Sequence, residues 1–189
     1  MQSPRSNQDR TEKTRAALIA AARALFVDKG YAETATPEIV AAAGITRGAL
    51  YHHFRDKRDL FRAVAEGEAR QVAADIEAAA APEGGPPLDA LLAGSRAYLD
   101  AMAVPGRTRL LLIEAPSVLG LAETRALDEA HAARTLREGL AEAGVAGEAE
   151  ALGDLISAAF DRAALAIDAG GDRAAYEAAL AELIRRLVA

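Results

Sequence analysis

The chain has 189 residues, of which 51% are hydrophobic, 26% charged and 4% aromatic, with no cysteine. That bounds it to one or two globular domains and excludes disulfide frameworks, thiolate metal sites and cysteine nucleophiles. The net charge of −6 hides a split: residues 1–62 hold eleven Lys and Arg against seven Asp and Glu, a balance of +4, which leaves −10 for residues 63–189.

Alanine abounds, and nothing alternates with period two, so an all-α fold of about nine helices is expected. Residues 1–10 read as a flexible arm. A first helix follows Thr11, with Leu18, Ala21, Ala22, Leu25 and Phe26 on one stripe and Gly30 at its end. A second opens with Thr36 as N-cap and Pro37 at the first helical position, and stops at Gly44. Thr46 caps a third, short helix through Phe54. Asp56 caps a fourth that runs to about Ala80. Pro82-Glu83-Gly84-Gly85-Pro86-Pro87 reads as a linker. A fifth helix carries Leu88 to Met102, and a sixth spans Arg107–Ala115, with Leu110–Ile113 apolar all round and Pro116 as its breaker. A seventh extends from about Leu119 to Ala143. The last two, 148–169 and 172–188, carry long apolar stripes.

The second helix, the turn Gly44-Ile45-Thr46 and the third helix have the form of a helix-turn-helix. Leu50 and Phe54 face inward, about 40° apart at 100° per residue. Gly48, Ala49 and His52 then face outward, Tyr51 and His53 lie on opposite flanks, and Arg47 stands at the N-terminal tip. Arginine reads guanine bidentately, and Gly48 and Ala49 let the backbone come close to base edges. Thr36 and Thr46 sit at helix N-termini, where hydroxyls and free N–H groups suit phosphate. Tyr51 and Lys57 are placed to reach phosphates on either side.

The stretch from Gly30-Tyr31 through Thr36-Pro37-Glu38-Ile39-Val40-Ala41-Ala42-Ala43-Gly44-Ile45-Thr46-Arg47-Gly48-Ala49-Leu50-Tyr51-His52-His53-Phe54 to Lys57 and Leu60 resembles the DNA-binding domain of the tetracycline-repressor (TetR) family of bacterial transcription regulators. The likeness covers about residues 11–62. Val40 stands where that family usually has alanine, and Ala35 replaces the first residue of a common Thr-Thr pair. The resemblance implies that Thr36, Tyr51, His53 and Lys57 touch the DNA backbone, and that Arg47, Ala49 and His52 set base preference. It also implies a C-terminal helical bundle that binds a small effector and dimerises through its last two helices.

The division expected on these grounds is an arm over 1–10, a three-helix DNA-binding domain over 11–56, a connecting helix over 57–81, and an effector and dimerisation domain over 82–189. The connecting helix is expected to be the only element touching both halves. Leu152, Leu155, Phe160, Tyr176, Leu180, Leu183 and Leu187 are the candidate dimer contacts.

Ser95, Tyr98, Glu114 and His131 are candidate effector contacts. Ser95 either lines a cavity or bonds the carbonyl four residues back. Glu114 is either a buried acid with a cationic partner or a helix-end surface carboxylate. His131 is either a ligand contact or an ordinary core or surface histidine.

No glycine-rich phosphate loop, nucleophile elbow or metal-ligand spacing occurs, so no catalytic group, cofactor or metal is expected. No apolar run approaches the ~18 residues of a membrane span, and Met1–Arg15 lacks the apolar centre of a signal peptide. The expected setting is the cytoplasm. The expected partners are double-stranded DNA, a second copy of the chain and a small molecule. A helical scaffold or DNA-packaging protein is the alternative, though it would call for basic charge along the whole chain.

Overall fold

A computed structural model describes residues 4–79, 85–145 and 149–188. Among these the regular structure is helical throughout: α1 (Pro4–Lys29), α2 (Thr36–Ala43), α3 (Arg47–His53), α4 (Lys57–Ala79), α5 (Pro87–Met102), a π-helical turn (Arg109–Glu114), α6 (Ala115–Leu119), α7 (Leu121–Glu129), α8 (Ala132–Glu142), α9 (Ala149–Asp168) and α10 (Arg173–Val188). None of them is long and apolar enough to cross a membrane. Residues 82–84 of the expected linker Pro82–Pro87 lie outside the described residues, and Pro87 is already the first residue of α5.

Two cores share α4. The first gathers Leu18 and Phe26 of α1, Ile39 of α2, Leu50 of α3 and Leu60 and Phe61 of α4, all shielded from solvent. Phe26, Tyr31 and Phe61 form a ring cluster with centroids 5.2–5.6 Å apart. Leu110, Ala115 and Leu119, from the C-terminal half of the sequence, belong to this same core. Farther along α4, Val72 enters a second core with Leu99, Met102, Ile156, Phe160 and Ile184.

The caps follow from local chemistry. Asp56 accepts the Asp59 N–H at 2.7 Å while Asp59 accepts the Arg55 N–H at 3.1 Å, so two orphan donors at the start of α4 are satisfied reciprocally. Asp172 accepts the Ala174 N–H at 3.0 Å and starts α10. Gly30 and Gly44 end α1 and α2 with φ of 86° and 66°, values that favour glycine.

Four expectations are corrected. The first helix starts at Pro4, inside the stretch read as an arm; proline is tolerated in a first turn, and Gln8–Glu12 and Thr14–Arg10 bonds then support the helix. Pro116 does not break the chain's helical path. A widened turn precedes it, in which the Ala115 N–H reaches back to the Leu110 carbonyl, and Pro116 sits in the first turn of α6, where no N–H is needed. The run Leu110–Ile113 is not central all round, because Leu110 is buried while Ile113 is 54% exposed. The helix expected over 119–143 is two helices, because the backbone leaves helical geometry at His131, with φ of −131° and ψ of −103°, between α7 and α8.

A fifth correction concerns the join between the halves. Besides α4, the α1–α2 turn meets the π turn directly: Glu114 accepts the Tyr31 N–H at 3.2 Å and pairs with Arg109 at 3.0 Å. A Cβ on Gly30 would run into that Arg109 guanidinium. Arg58 of α4 donates to the Val118 and Leu119 carbonyls at 3.2 and 2.9 Å, capping α6, and Arg58 and Arg62 both pair with Glu123 of α7. Deepest in the seam, Glu68 of α4 takes Arg23 of α1 at 2.7 Å and Arg107 at 2.8 Å.

Candidate nucleic-acid interface and ligand cavity

The turn between α2 and α3 fixes the outward face of α3. Gly44 supplies the left-handed residue that reverses the chain. Thr46 then caps α3, its Oγ1 accepting the Ala49 N–H at 3.2 Å. Leu50 is fully buried, and Phe54 nearly so. Consequently Arg47, Gly48, Tyr51 and His52 are exposed, with Ala49 and His53 half-buried beside them. The Arg47 guanidinium stands over the Tyr51 ring, 5.5 Å from its centroid, so the two side chains steady one another.

Three expected roles change in detail. Thr36 is the first helical residue of α2, and the N-cap is Ala35. Alanine has no acceptor, so the capping falls to Glu38, which accepts the Ala35 N–H at 3.0 Å and also pairs with Lys29. Lys57 lies at the base of the reader. Its ammonium donates to the Tyr31 and Thr34 carbonyls at 2.8 and 2.9 Å and sits 4.2 Å from the centre of the Tyr31 ring. It therefore ties α4 to the α1–α2 turn, with at most one donor left for a phosphate. His53 is partly buried beside His52 and Arg15. Desolvation first, then those two groups, hold it below the usual imidazole range, which favours the neutral ring.

In the second half, Ser95 and Tyr98 come together, and Glu114 and His131 do not join them. Ser95 satisfies both of its readings: its hydroxyl donates to the Leu91 carbonyl at 2.6 Å, and the residue lines a cleft of about 240 Å³ between α4, α5, α8 and α9. Tyr98 stands between this cleft and a second one of about 330 Å³, walled by Val72, Met102, Leu111, Leu112 and Leu127. Its hydroxyl donates to Asp161 at 2.7 Å. Glu114 is the buried acid with a cationic partner, but it serves the seam with α1. His131 lines a different, shallow hollow beside α7.

Sequence reasoning missed Asp128 and Asp161, which both line the larger cleft. Ser157 donates to Asp128 at 3.3 Å. Burial raises the Asp128 carboxyl and pushes Asp161 up to about 6, against the opposing effect of the Tyr98 bond. A signal was available: Ser157 and Asp161 lie four residues apart along one flank of the apolar stripe of α9.

The candidate dimer contacts divide. Phe160 and Leu180 are buried in the chain's own second core, with the Phe160 ring edge-on to Tyr98 at 5.4 Å. Reading them as dimer contacts is therefore corrected, because their faces of α9 and α10 are spent inside the protomer. Leu152, Tyr176 and Leu187 are half-buried. Leu155 and Leu183 are 70% and 37% exposed.

An exposed short helix held by a capped glycine turn, in front of a separate helical bundle with apolar clefts, defines a helix-turn-helix regulator. Residues 18–64 match the family described as bacterial regulatory proteins, tetR family, and residues 88–189 match the tetracyclin repressor-like C-terminal domain. The chain belongs to the TetR family of bacterial transcriptional regulators.

The regulator AcrR of Shigella flexneri is 42% identical over 62 residues, 33% of this chain and 29% of that protein. The chain thus aligns with less than a third of that relative's length. A TetR-family regulator from Pectobacterium atrosepticum is 31% identical, with 95% of this chain and 94% of that one covered and a TM-score of 0.70. The TetR-like regulator LfrR of Mycobacterium smegmatis, in complex with proflavine, is 26% identical over 92% of this chain and 95% of that one, with a TM-score of 0.64.

Proposed function

We propose that this chain is a repressor that binds a pseudo-palindromic operator as a homodimer and is released by a small molecule. The observation that carries the DNA part is the outward face of α3. Arg47 sits at the tip of a helix whose next residue is glycine, flanked by exposed Tyr51 and His52. A seven-residue reader helix buries too little to bind tightly alone, so two are needed, about 34–36 Å apart to enter successive major grooves. The exposed Leu155 and Leu183 offer the pairing surface, on faces of α9 and α10 that the protomer leaves uncovered.

The effector part is supported by the two clefts that meet at Tyr98 and by the bound proflavine of the similar LfrR. The test is fluorescence anisotropy with operator DNA selected from genomic fragments. Salt-dependent binding to a two-fold-symmetric site, with a stoichiometry of two chains per site, is expected. Equal affinity for selected and random DNA would overturn it.

A further inference from the structure

The clefts on either side of Tyr98 are walled by apolar side chains, yet the charges that reach them are nearly all negative. Glu77, Glu138 and Glu142 line the smaller cleft, with no Lys or Arg among its lining residues. In the larger one, Arg125 is the sole basic residue of the lining, and it is matched by Glu129 at 2.7 Å and by Asp154. That leaves Asp128 and Asp161. Asp161 has one partner among the described residues, the Tyr98 hydroxyl. Asp128 accepts the Ser157 hydroxyl at 3.3 Å.

The neighbouring elements do little to offset them. From α8, Arg137 acts on Asp128 at a distance, and Arg134 is engaged with Glu77 and Glu138. From α4, α5 and the π turn this cleft receives only uncharged side chains.

A ligand that fills such a space drives water from both carboxylates. A neutral body leaves that desolvation uncompensated, an anion adds repulsion, and a cation offsets it. From this charge complementarity, and resting on the reading of the chain as a ligand-released regulator, we propose that the cleft beside Tyr98 takes a compact lipophilic monocation. Its apolar body lies against Val72, Met102 and Leu111, and its charged nitrogen against Asp161, with Asp128 close by. Tyr98, by donating to Asp161, positions the carboxylate for that contact. A cation demands the ionised carboxylate, so its binding weakens as pH falls through about 6.

The test uses one apolar body in three charge states: 1-adamantylammonium, 1-adamantanol and 1-adamantanecarboxylate, titrated calorimetrically into the full chain. The amine is expected to bind at least about tenfold more tightly than the alcohol, and the carboxylate least of all. Asp161→Asn should abolish the amine's advantage, weakening the amine while the alcohol, which no longer desolvates a charge, binds at least as well as before; circular dichroism and a cooperative melting transition certify the fold. The amine's advantage should shrink below pH about 6 in the wild type, but not in the variant.

An alcohol or carboxylate that binds as well as the amine overturns the proposal. So does an amine indifferent to Asp161→Asn, or failure of all three probes to bind. Operator binding is measured on the same samples: its loss in the wild type would count against the regulator reading, whereas intact operator binding with no charge preference counts only against the cation.

Discussion

Arg107 and Glu68 meet at 2.8 Å where the reader domain joins the C-terminal bundle, both nearly out of reach of solvent. Arg107 also donates to the Ala101 carbonyl at 2.7 Å, and Glu68 also takes Arg23 at 2.7 Å. Burial alone would raise the Glu68 carboxyl, but the two guanidinium bonds outweigh it and hold it below the usual carboxylate range. The pair thus fastens α1, α4 and the segment after α5 at one point.

Glu68→Gln removes the charge that compensates a buried guanidinium. The expected cost is about 3 kcal/mol, since breaking one side of a buried pair strands the other. Urea denaturation checks this. Replacing both partners, Glu68→Gln with Arg107→Met, should recover part of the loss, because the buried guanidinium goes with its partner and the Arg23 left behind still reaches water.

Arg47→Ala is expected to cost roughly 1–3 kcal/mol on the operator and little on random DNA, with preference relaxed at one position per half-site. Lys57→Ala should behave differently on two counts. Binding to all sequences falls together, and thermal stability falls as well, by about 1–3 kcal/mol, because two carbonyls lose their donor. Anisotropy on both DNAs and a melting curve distinguish the two residues.

Leu155→Asp and Leu183→Asp should yield folded monomers by light scattering and circular dichroism, with operator affinity lost. Phe160→Asp should unfold the chain instead, since its ring is buried against Tyr98. An unfolded Leu155→Asp, or a folded monomeric Phe160→Asp, would reverse the assignment of faces on α9.

The raised carboxyl of Asp161 fixes the sign of a stability effect. Between the ordinary aspartate range and about 6, the folded chain binds a proton that the unfolded chain has released. Stability from this group is therefore greatest below that window and falls as pH rises through it. Asp161→Asn, which keeps an acceptor for Tyr98, should raise stability above pH 7 by about 1–3 kcal/mol and flatten the profile over the window. Melting temperatures from mildly acidic to neutral pH measure it.

The reader domain was legible because its signals are local. A glycine at a left-handed turn, a threonine cap and inward Leu50 and Phe54 are set by neighbours a few residues away. The split of 119–143 into two helices was not legible, since the break falls between Ala130 and His131 with no glycine or proline to mark it, and alanine is the best helix former. The cavity acids and the seam were hidden for a related reason: a carboxylate's role depends on a partner far along the chain. Glu68 nonetheless left a mark. It lies four residues from both Val64 and Val72, on the apolar stripe of α4, where an unpaired acid could not stay. For α9 and α10 the stripes were plain, but two buried faces per helix, one for the protomer and one for a mate, cannot be told apart by periodicity. Only burial separates Phe160 from Leu155.

The Lys57 clamp has a mechanical corollary. The first residue of α4 is bonded to the turn that launches α2, so the reader travels with the near end of α4 as one body. Arg58, the next residue, and Arg62, about a turn further on, grip α6 and α7 in the same way. An event in the clefts beside Tyr98 therefore cannot deform the reading surface without first breaking these bonds. What it can do, where the Glu68 seam with Arg23 and Arg107 gives way, is swing the whole head, like a rudder on its stock. In the homodimer proposed above, each half-site would then be read with undiminished fidelity at every angle, and the distance between the two heads on a duplex would decide whether both can read at once.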